Sequence, residues 1–240
     1  MKAMILAAGV GERMRPLTDH TPKPLLEVGG SPLIAHHIER LARGGFTELV
    51  INVSHLAAQI TAYCGDGSRW GVSITYSAEA EPLETAGGIF QALPLLGGKP
   101  FLVVNGDIWI DYPFARLLGY TPPDPECAHL VMVGNPAQHP RGDFALDEQG
   151  WVRELAAGAT GLTYAGVGVY TPAFFAAMAP GKMPLRPLLD AAIRRGCLSG
   201  EYYPGHWEDV GTPERLRSLD AALRAAAGPL PGAGPPANSR

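Results

Sequence analysis

Short apolar runs alternate with amphipathic stretches through the first half of the chain, and this alternation constrains the fold more than any other feature. Ala3–Ala7 is apolar and is followed by Gly9, the pattern of a buried strand entering a glycine loop. Leu33–Arg43 puts Ile34, Ile38, Leu41 and Ala42 on one face before Gly44 and Gly45, which predicts an amphipathic helix with a stop. Glu48–Val53 reads as a second strand. Leu56, Ile60 and Tyr63 mark a second helix, broken at Gly65-Asp66-Gly67. Val72–Ser77 reads as a third strand. Thr85 is expected to cap a helix through Leu93, and Phe101–Val104 is a fourth strand ending at Asn105-Gly106-Asp107. This βαβαβαβ order predicts a mostly parallel sheet covered on both faces.

The second half is less regular. Leu130–Gly134, Phe144–Leu146, Trp151–Leu155 and Thr163–Tyr170 read as strands and Pro187–Arg195 as a helix. Thr212 and Pro213 have N-cap and N1 character for a last helix that buries Leu216, Leu219 and Leu223. The expected organisation is one domain over 1–227, with a parallel half to about 110 and a mixed half beyond. A Pro/Gly-rich tail follows over 228–240.

With 46% hydrophobic and 18% charged residues, the chain can build a sizeable core, which excludes disorder throughout. The net charge is −4 and no basic block stands out, so a nucleic-acid partner is not favoured. The apolar run Ala3–Ala8 is too short for a signal peptide or a membrane helix, and no membrane partner is expected. Cys64, Cys127 and Cys197 are scattered and odd in number. They imply neither a disulfide framework nor a zinc site, and a reduced cytosol fits. The histidines show no ligand spacing, and His36-His37 reads as one partly buried and one solvated residue.

The most informative stretch is Leu6-Ala7-Ala8-Gly9-Val10-Gly11-Glu12-Arg13-Met14-Arg15-Pro16-Leu17-Thr18. Small residues after a buried strand let the backbone approach a ligand, and successive free N–H groups form an anion nest. A dinucleotide loop would want glycine where Met14 stands, and no P-loop signature occurs anywhere. Lys23 follows in Thr21-Pro22-Lys23-Pro24-Leu25, presented from a backbone stiffened by two prolines.

Together these two segments resemble the sugar-1-phosphate nucleotidyltransferase family, and the resemblance extends over roughly residues 1–225. It implies an α/β fold, Rossmann-like and three-layered (α/β/α), with a mostly parallel central sheet. The implied reaction joins an NTP to a sugar 1-phosphate and releases pyrophosphate. A sugar phosphate is already anionic, so positioning and electrostatics should supply most of the catalysis. The resemblance gives the nucleotide to Ala8, Gly9, Gly11 and Glu12. Arg13 would hold the departing phosphates, and Lys23 would sit at the α-phosphate as the second catalytic cation. Pro82, Glu84, Thr85 and Gly88 resemble the base-recognition loop, with Glu84 standing where many relatives have glycine.

Asp107, at a strand end, and Asp209, in Asp209-Val210-Gly211-Thr212-Pro213-Glu214, resemble the family's Mg2+ ligands. Asn105, Gly142, Asp143 and Glu154 resemble sugar contacts, and Gly166 and Gly168 either leave room for the sugar or serve close strand packing. Asn105-Gly106-Asp107-Ile108-Trp109, Arg141-Gly142-Asp143-Phe144 and Gly205-His206-Trp207 are most similar to a subgroup of bacterial cell-wall recycling. Its members transfer UMP from UTP to N-acetylmuramate 1-phosphate, so UTP and that sugar phosphate are the expected partners. The lactyl carboxylate of the sugar calls for a cation, with Arg141 and Arg186 as candidates. The nearest alternative is a mannose-1-phosphate guanylyltransferase or another sugar-1-phosphate nucleotidyltransferase, such as a glucose- or thymidylyl-type relative. A catalytically silent nucleotide-sugar sensor is more distant, because Arg13, Lys23, Asp107 and Asp209 are all present.

Overall fold

The computed structural model describes residues 1–227, and the expected tail over 228–240 lies outside the described residues. Strand β1 (Ala3–Leu6) is followed by a small hairpin, β2 (Glu27–Val28) and β3 (Ser31–Pro32). Then come helix α1 (Leu33–Arg43), strand β4 (Glu48–Val53), helix α2 (Ala57–Cys64), strand β5 (Ser73–Ala78), helix α3 (Glu84–Leu96) and strand β6 (Phe101–Asn105). The second half adds β7 (Ile108–Ile110), β8 (Ala128–Val133), β9 (Ala145–Leu146), β10 (Val152–Arg153) and β11 (Thr163–Tyr170). Helix α4 (Arg186–Arg194), strands β12 (Leu198–Tyr202) and β13 (Trp207–Asp209) and helix α5 (Pro213–Ala227) complete it.

Seven strands form one sheet in the order β12-β8-β11-β6-β1-β4-β5, with strands from both halves of the chain. Only β11 runs antiparallel to its neighbours, β6 and β8. The period of two along each strand divides the core. Ala3, Ile5, Leu49, Ile51, Leu102 and Val104 pack toward Ile34, Ile38 and Leu41 of α1 and Ile60 of α2. Met4, Val50, Phe101 and Val103 pack toward Ala86, Ile89 and Ala92 of α3 and Leu189 of α4. The sheet thus lies between helical layers, the expected three-layer α/β/α arrangement. Ile38 is fully buried on the α1 face, and truncating it to Ala would cost about 2–5 kcal/mol. A third cluster, Met14, Val28, Leu33, Trp109, Val210 and Leu219, ties α5 back to the glycine loop and the β2–β3 hairpin.

Several expectations need correction. Thr85 does not cap α3. The preceding Glu84 has φ 61° in the left-handed region, and the Met183 carbonyl accepts from the Ala86 and Gly87 N–H groups instead. Of the histidine pair neither is fully solvated: His37 is buried against the Ile108 carbonyl at 2.9 Å, and His36 is half-buried. Cys127 and Cys197 form a disulfide, against the expectation of none. The two residues directly precede the paired parallel strands β8 and β12, so topology brings together thiols 70 positions apart. No described helix is long and apolar enough to cross a membrane.

Candidate active site

Strands β1, β4 and β6 run parallel, and their carboxyl ends open onto a cavity of about 550 Å3. In an open α/β sheet this edge is where ligands bind. The glycine loop forms one wall. Gly11 has φ 67°, and a Cβ there would stand 2.9 Å from Thr18 Cγ2, so the turn admits only glycine without strain. The Gly11 carbonyl accepts from the Met14 N–H and the Thr18 hydroxyl, both at 2.8 Å, which fixes the turn. Gly9, Val10, Gly11, Glu12 and Arg13 donate their N–H groups to no acceptor among the described residues. Exposed Arg13 adds positive charge beside these free donors.

Lys23 enters from a short 3-10 turn, Lys23–Leu25, held by the Leu25 N–H to Pro22 carbonyl bond at 2.8 Å. The side chain is buried, and its Nζ donates to Asp107 Oδ2 at 2.8 Å. Burial would push the Asp107 carboxyl up, but the charges of Lys23 and Arg13 hold it below the usual carboxylate range. Asp107 is aimed by its loop: the Gly106 N–H donates to the Leu6 carbonyl at 2.9 Å, and a Cβ on Gly106 would reach within 2.5 Å of that oxygen. Strand β13 pairs antiparallel with β7, and the Val210 N–H donates to the Asp107 carbonyl at 3.0 Å. This pairing brings Asp209 beside Asp107, and both line an adjoining cavity of about 230 Å3. Asp209 is also held by Arg215, Nη1 to Oδ2 at 2.5 Å.

The two carboxylates and the Asn105 amide form a hard-oxygen donor set that suits a divalent cation. Asn105 Oδ1 is buried without a partner among the described residues, as expected of a donor kept for a cation or its water shell. Gly166 makes room for this side chain, because a Cβ there would lie 2.8 Å from Asn105 Nδ2. Elsewhere, a carboxylate–thiol cluster of Asp124 with Cys127 and Cys197 has both sulfurs committed to the disulfide.

The main cavity gathers Ala8, Gly9, Gly11, Glu12, Arg13, Lys23, Pro82, Glu84, Thr85, Asn105 and Asp107. Gly88 does not line it. A Cβ on Gly88 would stand 2.6 Å from Glu79 Oε1 and 2.8 Å from Asn52 Nδ2, so this glycine accommodates that pair from behind. Gly142, Asp143 and Glu154 meet in a separate cavity of about 620 Å3 with Arg141 and Arg186. Gly142 has φ 70°, and a Cβ would come within 2.7 Å of the Leu162 backbone, so its place there is conformational.

Sequence reasoning missed Asn52 and Glu79, which line the floor of the main cavity. Asn52 Oδ1 accepts from the Ala7 N–H at 2.8 Å, and its Nδ2 donates to Glu79 Oε1 at 2.7 Å. Glu79 Oε2 accepts from the Leu83 N–H at 2.9 Å. The signal was available: Asn52 is a polar residue inside an apolar strand, and Glu79 stands at a strand's carboxyl end. Lys182 was also missed. It reaches the cavity rim 3.7 Å from Glu84, on the segment whose Met183 carbonyl caps α3.

Residues 2–225 match the protein family described as nucleotidyl transferase. The chain is 53% identical over 225 residues to an N-acetylmuramate alpha-1-phosphate uridylyltransferase of Neisseria meningitidis, covering 92% of this chain and 97% of the relative. It is 36% identical to a protein of the same name from Caulobacter vibrioides, covering 92% and 96%. A Bacillus anthracis structure named for glucose-1-phosphate thymidylyltransferase superposes with a TM-score of 0.81 at 22% identity, covering 93% and 95%, which shows the shared fold. With residues 2–225 matched and a relative 53% identical over nearly its whole length, the chain belongs to the nucleotidyl transferase family.

Proposed function

We propose that this chain transfers UMP from UTP to N-acetylmuramate 1-phosphate, giving UDP-N-acetylmuramate and pyrophosphate with Mg2+ as the metal. The observation that carries the reading is the buried Lys23 ammonium on Asp107, in a cleft walled by free backbone donors and Arg13. The likeness to two relatives named for this sugar and this transfer supplies the substrates. The reaction sits in the cytoplasm and serves cell-wall recycling, as the sequence resemblance implies.

The triphosphate lies along the glycine loop, its oxygens accepting from the N–H groups of residues 9–13. An oxygen of the sugar phosphate attacks the α-phosphorus. The bond from that phosphorus to the bridging oxygen breaks, and pyrophosphate leaves with the electron pair. No proton needs to be removed from the nucleophile. Lys23 offsets charge at the α-phosphate, and the Arg13 guanidinium offsets it on the departing pair. Asp107, Asp209 and Asn105 would hold the metal, which supplies neutralisation of the phosphate oxygens when bound. Glu79, fixed by Asn52 and the Leu83 N–H, accepts from the N3–H of uracil.

The same carboxylate favours one second reading, because guanine also presents ring and amino donors to an acceptor. A panel of four nucleoside triphosphates against sugar 1-phosphates, read by NDP-sugar formation, separates the two. UTP with N-acetylmuramate 1-phosphate is expected to give the highest kcat/KM. A strong preference for GTP with mannose 1-phosphate would replace the uridylyl reading by the guanylyl one.

A further inference from the structure

We infer that Arg186 reads the lactyl carboxylate of the sugar, an inference that rests on the N-acetylmuramate reading above. Three cavities form a series. The nucleotide cleft and the small metal-side cavity share Asn105 and Asp107, and the small cavity shares His139 with the 620 Å3 cavity beyond. A sugar whose phosphate meets Lys23 and whose ring passes Asn105 carries its outer substituents toward that last space. N-acetylmuramate differs from N-acetylglucosamine by a lactyl ether ending in a carboxylate, so a cation must meet it there.

Three arginines line this cavity, and their surroundings separate them. Arg194 lies 3.8 Å from Glu154 and is largely exposed. Arg141 is exposed and has no side-chain partner among the described residues, so ordering it on a ligand would cost full rotamer entropy. Arg186 is already placed. Its Nε donates to Asp190 Oδ1 at 2.7 Å, and its guanidinium carbon sits 4.4 Å over the Phe144 ring. Nη1 is 3.9 Å from Asp143 Oδ1, too long for a hydrogen bond. Asp143 spends its oxygens elsewhere: Oδ2 accepts from the Tyr164 N–H at 2.9 Å, and Oδ1 faces His139 Nε2 at 3.3 Å. The two terminal nitrogens of Arg186 remain as a fork, the geometry that binds a carboxylate bidentately.

The test compares N-acetylmuramate 1-phosphate with N-acetylglucosamine 1-phosphate on the full chain and on Arg186→Gln. Loss of the fork should lower kcat/KM for the muramate substrate by about 10- to 100-fold, chiefly through KM, while the glucosamine substrate changes by about twofold or less. Turnover of the glucosamine substrate certifies that the variant is folded. Converting the lactyl carboxylate to its amide should cost the wild type a similar factor and cost Arg186→Gln little more. An equal loss on both substrates, no loss on either, or a selective loss in Arg141→Gln instead would overturn the assignment. Failure of the wild type to use N-acetylmuramate 1-phosphate at all would overturn the substrate reading and this inference with it.

Discussion

Lys23 Nζ stands 2.8 Å from Asp107 Oδ2 across 84 residues of sequence, and this contact joins the two halves of the proposed chemistry. One partner comes from a proline-braced turn after the glycine loop, the other from the carboxyl end of β6. The ammonium helps to keep the carboxylate ionised, and in the proposed reaction the carboxylate would hold a metal and keep the ammonium where the α-phosphate arrives. Lys23→Ala and Asp107→Ala are each expected to cut turnover at least about a hundredfold, the usual worth of a positioned electrostatic group. Because the pair acts as a unit, the double variant should lose far less than the product of the single losses. Steady-state kinetics on variants with native circular dichroism checks both statements.

Glu79 is expected to set the affinity for the base. Glu79→Ala removes the acceptor and leaves the Asn52 amide and the Leu83 N–H without their partner. A tenfold or greater rise in KM for UTP should accompany a stability loss of about 1–3 kcal/mol, measured by kinetics and by urea unfolding.

Glu84 carries a side chain at φ 61°. Left-handed backbone costs an ordinary L-residue about 1–2 kcal/mol, and glycine escapes that cost. Glu84→Gly should therefore be more stable than Glu84→Ala by about 1 kcal/mol. Matched denaturant titrations of the two variants check the difference.

Burial lowers His37 from its ordinary value of 6.5 to about 4, despite the hydrogen bond to the Ile108 carbonyl that pulls the other way. The folded chain keeps this ring neutral where the unfolded chain protonates it. Its contribution to stability is thus complete above about pH 6.5, declines as pH falls, and is lost through about pH 4. The unfolding free energy should drop over that window with a slope approaching about 1.4 kcal/mol per pH unit from this group. His37→Leu should flatten the slope in urea titrations across the same range.

What the sequence made legible follows the range of the forces involved. Leu33–Arg43, Glu48–Val53 and Thr163–Tyr170 were read at their observed bounds, because their periodicity is local and strong. Strand β12 escaped notice: Gly200 interrupts it, and pairing with β8 is what makes it a strand. The three-residue strands β7 and β13 exist only as each other's partners, though their pairing sets Asp209 beside Asp107. The Cys127–Cys197 bond and the Met183 cap on α3 are likewise products of tertiary approach. Within the cleft, motif spacing located the glycine loop, Lys23 and Asp107. Asn52 and Glu79 were missed because they matter through each other, across 27 residues.

The most direct measurement is pyrophosphate release by the purified chain in Mg2+ with UTP alone, with N-acetylmuramate 1-phosphate alone, and with both. The account predicts release only with both substrates, one pyrophosphate for each UDP-N-acetylmuramate formed. Absence of release from the folded protein, or equal release from UTP without the sugar phosphate, would contradict it.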